Sequence, residues 1–201
     1  MPLNIVFFLT LHAQFIIEIM TIEEAIKQRH SVRKYIHKPL STEVVRALEE
    51  KILECNKEGG LHIQLVTQET KAFSGIMSYG KFHGVENYLV ITKKKADDLD
   101  ERIGYYGEQL VLLAQALGLN TCWAGLSYRK VNGAYKIEKG EKLTCMIALG
   151  YGESQGVSHK IKTMEQVSNA TSNSPSWFRK GVEAALLAPT AINQQKYSFF
   201  L

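Results

Sequence analysis

The sequence predicts an α+β fold, in which a central antiparallel or mixed sheet is flanked by helices and one helix is buried at the centre. Residues 105–117 are good helix formers, and their apolar side chains cover most of the helix circumference, which favours a buried position. Apolar runs of strand length separate the helical stretches, at residues 61–67, 87–92 and 143–150. Such runs are typical of strands.

The composition indicates a core large enough for one domain or for two tightly fused halves. The 201 residues are 45% hydrophobic and carry a formal net charge of +4. Because the basic residues are scattered, we expect no nucleic-acid partner. Three cysteines without CxxC spacing indicate free thiols in a reducing, cytoplasmic compartment, with neither a disulfide framework nor a zinc site.

Residues 1–19 are set apart from the domain that we expect over residues 20–201. They are apolar but interrupted by polar residues, and they lack both a basic n-region and a small-residue cleavage site. They are also too polar to span a bilayer comfortably, so no membrane partner is expected. We interpret them as an N-terminal extension before a natural start at Met20. A degenerate signal or a membrane-peripheral segment is the alternative.

Capping residues delimit the helices of the first half. Thr21 and Ser41 suit the N-cap position, so we expect a short helix from Ile22 to about Arg29 and a longer amphipathic helix after Ser41. Gly118 is placed to end the central helix.

Beyond the central helix the pattern is less regular. Residues 120–125 indicate a short turn that enters an extended segment, and residues 131–135 a short helix or turn. Residues 153–176 are rich in Ser, Asn, Thr and Lys and predict one long connector. An amphipathic helix is expected at residues 177–187, and the start of a strand at residues 197–201.

An internal sequence similarity bears on the domain organisation. Residues 41–66 align without a gap over residues 175–200, and the apolar helix and strand positions coincide. This favours a tandem duplication, with half-domains at residues 20–152 and 175–201 and the second of them truncated. Chance similarity between two helix–loop–strand segments is the alternative.

A basic motif follows the first predicted helix. Arg29 and Arg33 flank Ser31 in the run Arg-His-Ser-Val-Arg. A guanidinium offers a planar fork of donors and a serine hydroxyl can donate or accept, so the motif suits a phosphate group and its polyol. Surface arginines without such a role are the alternative.

Five motifs follow one another along the chain: RHSVRKY, ENYLVIT, GYYGEQLVLLAQALGLNTCWAG, ALGYG and APTAINQQ. Together, from about Thr21 to the C-terminus, they resemble the nitroreductase family of FMN-dependent oxidoreductases. The last motif lies at the far end, at residues 188–195, which resembles a branch of that family with two fused half-domains. The resemblance implies a nitroreductase-like fold over residues 20–201.

The resemblance implies roles for the first basic motif. Arg29 corresponds to a contact with the FMN phosphate and ribityl chain, with His30 beside it, and Ser31 corresponds to the partner hydroxyl. Arg33 corresponds to the cation near the N1/O2 edge of the flavin, where positive charge stabilises the anionic reduced ring.

Two segments of the second half resemble further parts of the FMN site. Trp123, Ala124 and Gly125 resemble the segment whose backbone approaches the isoalloxazine ring, where small residues allow close contact. A later basic cluster resembles the one that completes the phosphate site, although solvated charges on a linker are the alternative. It includes His159, Lys160 and Lys162.

The C-terminal motif resembles the segment that lines the flavin ring and supplies backbone and amide hydrogen bonds. In family homodimers this segment comes from the second subunit. It includes Pro189, Thr190, Ala191 and Asn193. The fused arrangement therefore implies a monomer that mimics a dimer, with an ordinary homodimer as the alternative.

The activity that the resemblance implies is ping-pong hydride transfer from NAD(P)H through FMN to a nitroaromatic, a quinone or a similar small-molecule acceptor. Because the cofactor performs the chemistry, we expect no catalytic side chain and no metal ligand. Two departures from the family pattern favour a flavin-binding or decayed non-catalytic homologue as the alternative. The chain stops at residues 199–201, before the family's terminal strand, and residues 55–60 stand where the second half has its APTAINQQ loop. A basic interaction domain is a third reading.

Overall fold

The structure is a computed structural model that describes residues 20–78 and 81–201; the predicted extension over residues 1–19 lies outside them. The helices are α1 (Ile22–Gln28), α2 (Thr42–Gly59), α3 (Leu99–Ala116), α4 (Met164–Val167) and α5 (Ser176–Leu187). The strands are β1 (His62–Val66), β2 (Asn87–Lys94), β3 (Asn120–Ala124) and β4 (Glu141–Gly150).

The four strands form one antiparallel sheet in the order β1-β2-β4-β3. With helices packed against it, this sheet confirms the predicted α+β fold. The inner strands β2 and β4 are apolar on both faces, because helices cover one face and loops cover the other. β2 continues to Lys94, beyond the predicted end, since its last residues pair with the start of β4.

The caps expected for the first two helices are present. Thr21 and Glu24 form a reciprocal capping box at the start of α1, and the Ser41 side chain accepts a hydrogen bond from the Val44 N–H at the start of α2. Gly60 ends α2 in a left-handed conformation. Each pairing satisfies backbone groups that a helix end would otherwise leave without partners.

α3 begins at Leu99, earlier than predicted, and contacts α1, α2 and β3. Leu110 and Val111 are fully buried, whereas Leu112 and Leu113 are half-buried. Because the helix lies against one face of a single sheet, the described residues enclose only part of its apolar circumference. No helix within those residues combines the length and apolar character needed to cross a membrane.

Two apolar cores pack against the sheet, and a small third core holds the C-terminal part of the chain. Val167 of α4 packs with Phe178, Val182 and Leu186 of α5. The strand predicted at residues 197–201 is instead an irregular segment with one bridge, between Ser168 and Phe199. Tyr197 and Phe199 pack against this third core, whereas Phe200 and Leu201 are exposed, and the described residues provide no further ladder for the segment. The half-domain duplication stays a prediction.

A polar cluster ties three strands together near one end of the sheet. Oε2 of Glu141 lies 2.8 Å from Nδ1 of His62 and accepts hydrogen bonds from the Thr92 hydroxyl at 3.0 Å and the Glu138 N–H at 2.9 Å. Burial raises the pKa of Glu141, but the contacts with His62, Glu138 and Thr92 outweigh it and leave that pKa below its usual range. The ionised carboxylate therefore stabilises the sheet.

Glu141→Gln is expected to lower the free energy of unfolding by about 1–3 kcal/mol at neutral pH, because a charged acceptor is lost. A carboxyl with a lowered folded-state pKa stabilises the protein above its unfolded-state pKa, and the contribution fades as the pH falls through the folded-state value. The difference between wild type and variant should therefore shrink on acidification. Urea denaturation at a series of pH values measures this difference. The matched control is Glu138→Gln, at an exposed position. A difference in unfolding free energy that stays constant with pH would contradict the prediction.

Candidate functional site

Arg29 lies at the junction of three helices. It is the C-cap residue of α1, and only 4% of it is exposed. Its Nη2 donates to the Leu187 carbonyl at 3.2 Å, at the C-terminal end of α5, and its Nε lies 3.5 Å from Oε1 of Glu108 on α3. A buried guanidinium requires such partners, and the carbonyls at a helix C-terminus favour a cation.

A cleft of about 140 Å³ has Arg29 in its lining. His30 and His159 line it together with Arg29. His159 Nε2 lies 3.3 Å from the Leu186 carbonyl, so a second side chain reaches the end of α5. Burial and the nearby Arg29 and His159 lower the pKa of His30. These nitrogen groups give the cleft the chemistry of an anion site. Its other lining residues are Ile26, Lys27, Ser158, Ile161 and Leu187.

Trp123 is joined to the same cluster through Glu108. The indole Nε1–H donates to Oε2 of Glu108 at 2.9 Å. The ring lies against α3 at Gly107, where an added Cβ would run into it. Burial raises the pKa of Glu108, while Arg29 and the indole hydrogen bond oppose that rise. Sequence reasoning missed Glu108, although a single carboxylate before an apolar helical run was a usable signal.

The remaining residues of the first motif run beside β3. Ser31 forms a parallel bridge with Thr121, and the Val32 N–H donates to the Thr121 carbonyl at 3.0 Å. Arg33 is exposed. Burial raises the pKa of the Cys122 thiol on β3, and Arg33 and Ser31 act in the opposite direction. Of the predicted residues next to Trp123, Ala124 is buried and Gly125 exposed.

Gln195 holds the C-terminal motif against the later basic cluster. Its side-chain amide donates to the Lys160 carbonyl at 2.9 Å and to Oδ1 of Asn193 at 2.9 Å, and its Oε1 accepts from the Lys162 N–H at 2.8 Å. Its backbone N–H donates to Oγ1 of Thr190, and its carbonyl accepts from Nζ of Lys162 at 2.8 Å. Gln195 is 4% exposed, and sequence reasoning did not identify it.

The loop that Gln195 holds has a strained backbone. Ile192, Asn193 and Gln195 have φ values of 46°, 57° and 48°, in the left-handed region that disfavours a β-branched residue most. Each such residue costs about 1–3 kcal/mol and persists only where surrounding contacts hold it. Ile192 is nevertheless 91% exposed. The contacts of Gln195, and that of the Asn193 amide with the Lys160 carbonyl at 2.8 Å, hold this conformation.

The structure thus brings the predicted residues into three connected groups. In the first group, Arg29 and His30 line the cleft together with His159. In the second, Lys160 and Lys162 contact the loop that contains Thr190 and Asn193. In the third, Ser31 and Arg33 flank β3. Half-buried Pro189 and exposed Ala191 belong to that loop. The Lys162 ammonium is bonded to the Gln195 carbonyl, whereas the Lys160 side chain is exposed.

A larger cleft of about 840 Å³ lies elsewhere and contains none of the predicted site residues. Phe73 and Phe82 form part of its wall, and two exposed pairs lie along it, His37 with Glu86 and His83 with Glu153. We favour the smaller cleft as the functional site because a buried guanidinium and two histidines converge on it. In the described ranges, no three His, Cys, Asp or Glu side chains are grouped as metal ligands.

Comparison with known proteins identifies relatives. Residues 21–201 match the family described as "Putative TM nitroreductase". No curated protein matches the chain. A structure of a "putative nitroreductase" from Thermotoga maritima is 24% identical, with a TM-score of 0.63, over 94% of this chain and 75% of that one.

Two other solved structures are similar at lower identity. A "putative nitroreductase" from Desulfovibrio desulfuricans, in complex with FMN, is 18% identical, with a TM-score of 0.56, over 73% of this chain and 94% of that one. An FMN-dependent nitroreductase from Mycobacterium smegmatis, in complex with NADPH, is 17% identical, with a TM-score of 0.50, over 65% of this chain and 87% of that one. These likenesses show the shared fold.

Gly107→Ala is expected to displace the Trp123 indole and break its hydrogen bond to Glu108, with a loss of about 1–3 kcal/mol in the free energy of unfolding. Denaturation followed by fluorescence in a Trp177→Phe background reports Trp123 alone, because the chain has two tryptophans. Gly104→Ala on the same helix is the control, since a Cβ there meets no described atom within 4 Å. It should be neutral or stabilising, because Ala is the better helix former. Equal destabilisation by both changes would contradict the packing argument.

Gln195→Gly is expected to release the loop at residues 189–195, because the amide contacts are lost while the left-handed backbone stays allowed. Limited proteolysis with mass mapping should show faster cleavage in this loop. Gln194→Gly is the matched control: Gln194 is exposed and has an ordinary φ of −68°, so both variants add the same backbone freedom. Similar cleavage rates in the two variants would mean that Gln195 does not hold the loop.

Proposed function

The chain belongs to the family described as "Putative TM nitroreductase", and from this premise we propose that it is an FMN-dependent oxidoreductase. It passes hydride from NAD(P)H to a small electron-poor acceptor, such as a nitroaromatic or a quinone. The observation that carries the proposal is the convergence of Arg29, His30 and His159 on one cleft. The FMN complex of one relative and the NADPH complex of another support the choice of cofactor and reductant.

The residues at the cleft fit the phosphate end of FMN. A pocket for a whole drug-sized ligand measures roughly 300–1,000 Å³, so a cleft of about 140 Å³ suits a phosphate group and leaves the ring outside. Arg29 would supply a forked donor to the phosphate, with His30 beside it. Burial is the main cause that lowers the pKa of His30, and repulsion from Arg29 and His159 adds to it; an anion there would offset the repulsive part. Lys160, exposed nearby, would add a further cation.

The ring end would lie against two exposed segments. Gly125 and the loop at residues 190–193 are accessible, and the loop's strained backbone presents Ile192 and Asn193 outward. We propose that this loop and residues 123–125 contact the ring, with Arg33 at its N1/O2 edge and Ser31 as the hydroxyl that partners Arg29. FMN, when bound, supplies the hydride-carrying chemistry. The chain's own residues bind and orient it, and no side chain is proposed as a catalytic acid or base.

The exposure of the segments that we propose to contact the flavin ring also bears on the oligomeric state. We propose a monomer in which the C-terminal loop replaces the second subunit of a dimer, with a homodimer as the alternative; native mass spectrometry separates them. The second candidate function is a flavin-binding homologue without turnover. A reducing cytoplasmic setting is proposed because Cys55, Cys122 and Cys145 are buried free thiols.

Wild-type protein is expected to bind FMN and to prefer it over riboflavin, which has the same ring without the phosphate. Arg29→Ala should weaken FMN binding by about 1.5–3 kcal/mol, the loss of a charge-assisted contact, and leave riboflavin affinity nearly unchanged. Visible absorbance and flavin fluorescence titrations measure both affinities, and NADH oxidation with a quinone measures turnover.

Arg46→Ala is the control, because Arg46 is an exposed arginine on α2. A colourless protein that binds no FMN would end the cofactor proposal. Equal loss of FMN and riboflavin affinity in Arg29→Ala would show that Arg29 supports the fold instead of the phosphate. FMN binding without NADH oxidation would favour the non-catalytic homologue.

A further inference from the structure

We propose that Glu108 is a positioning residue, whose carboxylate fixes the orientation of the Arg29 guanidinium toward the cleft and so gives the site its preference for a phosphorylated flavin. The inference rests on the proposed function, because it assigns the phosphate of FMN to the cleft. It adds a residue on α3 to a site otherwise formed by the chain's two basic motifs and its C-terminal loop.

The geometry shows one carboxylate with two separate partners. Oε1 lies 3.5 Å from Nε of Arg29, and Oε2 accepts the Trp123 indole hydrogen bond at 2.9 Å. Because Gly107 allows the indole to lie against α3, Trp123 can hold the carboxylate oxygen that Arg29 does not contact. The position of Glu108 is therefore set by the helix that carries it and by a neighbouring strand.

The guanidinium is in turn held at two of its nitrogens. Within the described part of the chain, the partners of the Arg29 side chain are Glu108 at Nε and the Leu187 carbonyl at Nη2. A guanidinium has five N–H donors in a rigid fork, so the donors of Nη1 stay available for a ligand in the cleft that Arg29 lines. One hydrogen bond at Nη2 and one ion pair at Nε together restrict the direction of the third nitrogen of this planar group.

Two effects of Glu108 on an anion oppose each other. Its negative charge offsets part of the Arg29 charge, which weakens attraction to a phosphate. Its contact with Nε prevents the guanidinium from turning to other acceptors, which strengthens a directional phosphate contact. We take orientation to be the larger effect, because Arg29 is 4% exposed and a buried cation without its carboxylate would seek another partner.

Glu108→Gln tests this choice with a change of nearly equal shape. The amide oxygen can still accept from Trp123, but the charged contact with Arg29 is lost. The measured quantity is phosphate selectivity, the ratio of the riboflavin dissociation constant to the FMN dissociation constant, in which ring contacts and general loosening cancel. We expect this ratio to fall about tenfold or more, with riboflavin affinity nearly unchanged. Glu101→Gln removes the same charge from an exposed position on α3 and should keep the wild-type ratio.

A second variant keeps the test decisive if Glu108→Gln alone folds poorly. The double variant Arg29→Ala, Glu108→Gln removes both charges of the pair, of which Arg29 is buried and Glu108 half-buried, and leaves neither charge alone. If Glu108 acts through Arg29, the double variant should have the same selectivity as Arg29→Ala. A further loss in the double variant would show that Glu108 acts independently and would overturn the proposal.

The remaining outcomes separate this inference from the function on which it rests. A selectivity ratio that rises in Glu108→Gln would show that the carboxylate competes with the phosphate, and an unchanged ratio would show no role; either overturns the positioning assignment. In both cases a wild-type protein that prefers FMN over riboflavin leaves the proposed function standing. A wild-type protein that binds no FMN removes both.

Discussion

The burial of Arg29 is the constraint on which the candidate site depends. A guanidinium that is 4% exposed has to be compensated by protein groups, and here they come from α3 and α5. The need to satisfy one charge therefore fixes the junction of these helices with α1. His159 reaches the same end of α5. The cleft lies beside Arg29, whose position is set by its contacts with α3 and α5.

Local chemistry predicted much of the fold, because caps and apolar runs act over a few residues. Thr21 and Ser41 begin helices as their side chains require, and the continuous apolar runs became the inner strands β2 and β4. The segment at residues 197–201 shows the limit of this reasoning. The start of a strand was predicted there, and Tyr197 and Phe199 do pack against a core, but an apolar segment does not reveal whether a partner strand exists.

The site was predictable only in part, because its decisive contacts join residues far apart in the chain. The basic motif pointed to Arg29, but nothing local indicated that Glu108 would pair with it. The left-handed backbone of Ile192 and Gln195 was also beyond local reasoning, since propensity disfavours that conformation for both. Contacts from Gln195 to residues 160–162 impose it. Sequence patterns therefore identified the loop but not what shapes it.

The separate third core has a consequence for how the protein opens. α5 contacts α1 and α4, and its apolar residues belong to a cluster apart from the sheet. The C-terminal unit can therefore detach in a sub-global fluctuation while the sheet stays intact. A molecule that binds across the junction raises the free energy of that fluctuation by mass action. Occupancy of the cleft would then appear as slower amide exchange throughout α5, including residues that no ligand touches.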